Sequence, residues 1–103
     1  MIKFRNIDQI KFIVKDATGL DIMYAYDDLI FPEHGAFLMQ FSDDDPNVVF
    51  CHFHKKCPEK EQQRIISSLK RSGTMNSINI QKGNCYHLSA KNETEIEIKF
   101  LTI

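Results

Sequence analysis

The sequence predicts an α+β fold: two layers, a mostly antiparallel sheet of about five to six strands with two helices on one face, in the order αβββαβββ. Three observations predict it. Two segments carry apolar residues at helical spacing and are bounded by capping residues. Six shorter segments alternate apolar and polar residues, or run apolar, between turn formers. The connections are short enough for hairpins.

The first helix is expected over residues 7–18. Asn6 can cap it and Gln9 follows three residues later, the spacing of a capping box. Ile7, Ile10, Ile13, Val14 and Ala17 fall on one stripe, and Gly19 suits a left-handed C-cap. Residues 20–26 alternate as a strand, with Leu20, Ile22, Tyr24 and Tyr26 on one side. Residues 27–35 are turn-rich and contain Pro32, with Leu29 to Phe31 either extending the strand or plugging the core. Residues 36–41 and 48–54 read as strands, and Asp43-Asp44-Asp45-Pro46-Asn47 between them is a turn, so the pair is an antiparallel hairpin.

The second helix opens at Pro58, whose missing N–H costs nothing in a first turn. Glu59 and Glu61 near its start and Lys70 and Arg71 near its end suit the helix dipole. Ile65, Ile66 and Leu69 make a narrow stripe, and Gly73 is the expected stop. Residues 77–81, 85–90 and 95–101 read as a closing meander. In the last of these Ile96, Ile98 and Phe100 face one way and Glu95, Glu97 and Lys99 the other. Each half thus starts with a helix closed by glycine and continues into three strands, a hint of pseudo-twofold layout. Phe37, Phe41, Phe50, Phe53 and Phe100 are the expected aromatic core.

The 103 residues set one domain, 1–103. With 43% hydrophobic and 26% charged residues the composition is that of a folded globule. The net charge of -1 argues against a nucleic-acid partner. Three cysteines, an odd count, make a poor disulfide framework and suit a reducing, cytoplasmic setting. The charged start MIKFRNIDQI does not read as a signal peptide, and no apolar run is long enough for a membrane span.

Several groups of residues have chemical potential. His52 and His54 share a strand face, as do Cys85 and His87 on another strand. If those strands adjoin, the four are candidate zinc ligands. Against this, Cys51 and Cys57 depart from the short C-x₂₋₄-C spacing, and histidines at strand ends are commonly ordinary polar residues. Cys57, just before the second helix, is a candidate nucleophile with His52 or His54 as base. Glu59 and Glu61 oppose its ionisation. Asp43, Asp44 and Asp45 lack the glycine and terminal glutamate of a calcium loop and read as a solvated tip. Asp27, Asp28, Glu33 and His34 make a second polar group around a proline. The basic residues about the second helix are interleaved with acids and read as a wet helix face. There is no phosphate-binding glycine loop.

The order of helix, three strands, helix and further strands resembles that of bacterial type III secretion chaperones. Those end in a helix, however, and this chain ends in strand-like residues. Without a catalytic constellation, the sequence points to a small non-enzymatic interaction module that needs no cofactor. It would bind a protein partner or itself, as a homodimer, through a sheet face or edge bearing Tyr24, Tyr26 and Tyr86. The alternative is a metal protein or small enzyme centred on His52, His54, Cys57, Cys85 and His87.

Overall fold

A computed structural model describes residues 7–90, 92–93 and 96–101. The chain forms α1 (Ile7–Thr18), β1 (Ile22–Tyr26), β2 (Leu29–Pro32), a 3-10 turn (Glu33–Gly35), β3 (Phe37–Phe41), β4 (Val48–Phe53), α2 (Glu59–Met75), β5 (Asn79–Lys82), β6 (Cys85–Ala90) and β7 (Ile96–Leu101). The α+β class and the two helices stand as the sequence predicts. Four strands rather than three precede α2, because Asp27-Asp28 is a two-residue hairpin turn. Asp27 takes the positive φ of 56° that lets Tyr26 pair with Leu29. Asn6, the expected cap, lies outside the described residues.

The five strands β1 to β5 form one sheet in sequence order, and β6 and β7 form a separate hairpin. The first four strands are antiparallel to their neighbours, whereas β5 returns through α2 to lie parallel to β4. The closing meander and the pseudo-twofold layout are thereby corrected. β5 joins the large sheet by a crossover, and only β6 and β7 continue as a hairpin.

Alternation sets the two faces of the sheet. Phe37, Met39 and Phe41 of β3 and Val49, Cys51 and Phe53 of β4 are buried in one core with Ile30, Ile78 and Ile80. The apolar stripes of both helices, Ile10, Ile13 and Val14 on α1 and Ile65 and Leu69 on α2, complete it. Of the expected aromatic core, Phe50 is only half-buried and Phe100 is 40% exposed, since both lie away from this face.

The helix ends show where local chemistry held and where it did not. Gly19 (φ 77°) closes α1 and donates its N–H to Lys15 O at 2.8 Å, the left-handed cap the sequence suggests. α2 does not stop at Gly73 but runs on to Met75, and Pro58 sits one position earlier than expected, as the N-cap. Gly73 is there for packing. A Cβ at this position would lie 2.6 Å from Ile80 Cγ1 and 2.8 Å from Ile78 O.

The sheet face away from the helices is not uniformly open. Leu38 on β3 is 1% exposed and His52 on β4 only 6%. The β6–β7 hairpin covers this part, with the Phe100 and His52 rings 4.7 Å apart. Tyr86 on β6 is buried against the end of β4, where it bridges to His54.

Candidate functional site

The histidines and cysteines singled out from the sequence fall into separate environments. His52 is part of a hydrogen-bonded chain crossing the covered sheet face. The Asn84 N–H donates to His52 Nδ1 at 3.0 Å, which leaves the proton on Nε2 to be donated to Gln40 Oε1 at 2.9 Å. The Gln40 side-chain amide in turn donates to the Asp28 carboxylate at 2.9 Å. Both ring nitrogens of His52 are therefore engaged with protein, and the chain ties β4 to the β5–β6 link and to the β1–β2 turn.

Burial lowers the His52 pKa, opposed by its contacts with Asn84 and the Asp28 charge. A histidine whose native pKa lies below its unfolded value stabilises the fold fully above about pH 6.5, and that stability falls away as acid approaches the native pKa. Stability measured by urea unfolding between about pH 7 and 5 is expected to decline by up to about 1.4 kcal/mol per pH unit, and His52→Gln to flatten that slope. A slope unchanged by the substitution would show that His52 is not its source.

His54 faces another way. Its Nδ1 accepts the Lys56 N–H at 3.1 Å, and its ring meets the edge of Tyr86 at 5.3 Å. With Cys57 it lines a pocket of about 390 Å³ between the 3-10 turn, the end of β4 and the start of α2. His34, Glu61 and Ile65 share this pocket. The turn is held in place from two sides. The Tyr86 hydroxyl donates to Gly35 O at 2.9 Å, and the His54 N–H donates to Ala36 O at 2.9 Å. These bonds fix the positive φ of 70° at His34 and 64° at Gly35. The buried Tyr86 phenol is pushed up to about 12, first by desolvation and then by the Cys51 and Cys57 thiols.

Cys57 itself is poorly placed as a nucleophile. Burial, then the Glu61 carboxylate and Cys85, raise its pKa, and Arg64 offsets them only in part. Cys51 lies in the core, where desolvation raises its pKa far beyond ordinary thiol values. Cys85 is half-buried on β6. His87, on the same strand and paired across to Lys99, keeps a buried Nδ1 without a hydrogen-bond partner among the described residues. His54 and Cys57 thus come together, while His52 is occupied elsewhere. Among the described residues no group of three or more His, Cys, Asp or Glu side chains is arranged to hold a metal ion.

The acidic candidates are accounted for locally. Ser42 Oγ accepts the Asp44 N–H and Asp45 Oδ1 accepts the Asn47 N–H, which shapes the β3–β4 hairpin tip. Asp27 and Asp28 lie at one end of β2 and Glu33 and His34 at the other, so the four do not form one group.

No family model, curated protein or solved structure matches this chain.

A further feature with functional character is the β1 edge of the sheet. Among the described residues β1 pairs with β2 alone, which leaves its other side open. On it Met23 is 67% and Tyr26 70% exposed, large apolar surfaces that a buried strand would have covered. Its register with β2 shifts between Ile22 and Tyr24, a bulge of the kind that re-aims an edge. Asp21 and Asp27 flank the strand, both exposed. The sequence pattern placed Tyr26 on this strand. It placed Met23 on the strand's other side, with Asp21 and Asp27, and gave no sign that the strand is an edge. Of the other tyrosines, Tyr24 lies on the same strand, and Tyr86 is buried and spends its hydroxyl on Gly35. No helix among the described residues is long and apolar enough to cross a membrane.

Proposed function

We propose that this protein is a non-enzymatic interaction module that binds a partner protein by strand addition at the open edge of β1. The observation that carries the reading is the exposure of Met23 and Tyr26 on an edge strand beside whose outer backbone groups no strand lies among the described residues. Main-chain hydrogen bonds supply affinity in such a complex, and side chains on either face of the added strand supply selectivity.

The charges indicate what kind of partner suits. If β1 paired antiparallel with a second copy about Tyr24, Asp21 would face Asp27 at both ends of the ladder. Like charges directly opposite each other destabilise a pair. A strand flanked by lysine or arginine is the better complement, so a different protein is favoured over a homodimer. Three free thiols fit a reducing, cytoplasmic setting.

A second reading, a small enzyme or ligand-binding protein, has one observation in its favour: His54 and Cys57 line the same pocket. The upward shift of the Cys57 thiol weighs against nucleophilic use.

The two readings separate on variants. Met23→Lys combined with Tyr26→Lys changes only exposed side chains, so stability is expected to stay within about 0.5 kcal/mol per site. Partner capture from an extract of the source cells is expected to fall at least tenfold, while Cys57→Ala and His54→Ala retain it. Sedimentation velocity of the pure protein reads out self-association in the same series. Capture that survives the lysine pair but is lost with Cys57→Ala would overturn the proposal.

A further inference from the structure

The opposite edge of the sheet carries a second surface of different chemistry. Among the described residues β5 pairs only with β4, in parallel. The Asn79 N–H donates to Asn47 O at 2.7 Å and the Gly83 N–H to Cys51 O at 2.8 Å. A parallel ladder engages alternate residues, so Asn79, Gln81 and Gly83 turn their backbone groups toward β4. The N–H and C=O groups of Ile80 and Lys82 then point outward, two rungs spaced as an added strand requires.

Beside this edge runs α2, which closes the other wall of a cleft of about 460 Å³. Its lining is Lys70 and Thr74 from the helix and Asn79, Ile80, Gln81 and Lys82 from the strand. Each of these described residues is neutral or cationic. Neither lysine has a carboxylate partner in an ion pair among the described residues. A second depression adjoins the first and shares Thr74 and Asn79 with it, so the groove continues along the strand toward Ser77 and Asp45. The groove is therefore basic at the Lys82 end of β5, and beyond Asn79 it becomes more apolar, lined by Val48 and Ile78, with Asp45 at its far end.

We propose that the cleft between α2 and the open edge of β5 binds an extended peptide segment of a partner protein, with its acidic residues at the Lys70–Lys82 end. The outward rungs of Ile80 and Lys82 fix the backbone of the segment. The two lysines select carboxylates, and Asp45 disfavours them at the far end. A strand of four residues spans about 13 Å, which matches a segment of four or five residues. A nucleic acid fits less well, because paired N–H and C=O groups at strand spacing answer a peptide backbone rather than a row of phosphates, and two lysines neutralise few of them. This surface lies at the other edge from β1 and does not depend on it.

The test uses a displayed library of random decapeptides selected against the whole protein and, in parallel, against a Lys70→Glu, Lys82→Glu variant. Both lysines are exposed, and unchanged thermal unfolding confirms that the variant is folded. The expected result is enrichment of peptides carrying Asp or Glu at one end. The enriched peptide should bind at least tenfold more weakly to the charge-reversed variant and should slow amide exchange at Ile80 and Lys82. Absence of enrichment over the variant overturns the proposal, as do enriched peptides that protect β1 instead, equal binding to both proteins, or assembly of the protein into larger species in place of peptide binding.

Discussion

Gly83→Ala is expected to destabilise the protein by about 2–4 kcal/mol, read as a lower urea midpoint with an unchanged slope. The added Cβ would stand 2.2 Å from His52 Nδ1 and 2.3 Å from Cε1, closer than non-bonded atoms approach. The ring has little freedom to retreat. Gln40 holds one nitrogen, Asn84 the other, and the Phe100 ring packs beside it at a tilt, 4.7 Å between centroids. Displacing His52 breaks two hydrogen bonds, of which the one to half-buried Gln40 Oε1 is worth roughly 1–3 kcal/mol and the one from exposed Asn84 less, since water can replace it. His52→Ala alone is expected to cost about 2–3 kcal/mol for the same reason, so His52 is not the indifferent strand-end residue that its sequence position suggested. Because the alanine at 83 would enter space the ring vacates, the double variant should cost clearly less than the sum of the two. Strict additivity would show that the contact is not the cause.

Gly73→Ala tests the other close approach, and here the sign decides. In an exposed helix interior this substitution stabilises by about 1 kcal/mol through helix propensity. At Gly73 the new methyl meets the Ile78 carbonyl oxygen at 2.8 Å and the Ile80 side chain at 2.6 Å. Ile80 can adjust its rotamer. The carbonyl is fixed by the tight return into β5, in which the Ile78 N–H donates to Gly73 O at 2.8 Å. Overpacking of this kind costs about 1–3 kcal/mol and can exceed it where backbone must move, so a net loss of about 1–3 kcal/mol is expected. A thermal midpoint that rises instead would mean that α2 and β5 do not pack as closely as described.

The same two glycines mark the limit of sequence reading for this fold. Helix α1 was legible because stripe, cap and spacing agreed over residues 7–18. The β3–β4 hairpin was legible because its turn is built entirely of turn formers. By contrast, the Asp27-Asp28 turn lacks the glycine or asparagine that announces a two-residue hairpin, so Leu29 to Phe31 read either as an extension of the first strand or as a core plug within a turn-rich connection. Gly73 looked like a helix stop because a glycine near a helix end has two uses, and spacing alone does not tell a cap from a close approach. The parallel placement of β5 is a tertiary choice. Residues 77–90 alternate equally well in a meander, and only the crossover packing of α2 selects the parallel pairing.

The candidate site was legible in part. His54 and Cys57 sit within three residues of each other, so their shared pocket follows from a tight turn, in which the Cys57 N–H donates to His54 O at 2.9 Å. The partners of His52 come from positions 40 and 84, distant in sequence, and no local pattern reports them. The exposed Met23 and Tyr26 matter because β1 is an edge of the described sheet, and the basic cleft depends on β5 being the other. Both are properties of strand order rather than of any one segment.

Amide hydrogen exchange of the protein, alone and bound to its captured partner, tests the central claim most directly. Strand addition predicts slowed exchange confined to residues 22–26 of β1, with residues 54–61 around the His54–Cys57 pocket unchanged. Slowed exchange over residues 54–61 with β1 unaffected would contradict it and move the function to that pocket.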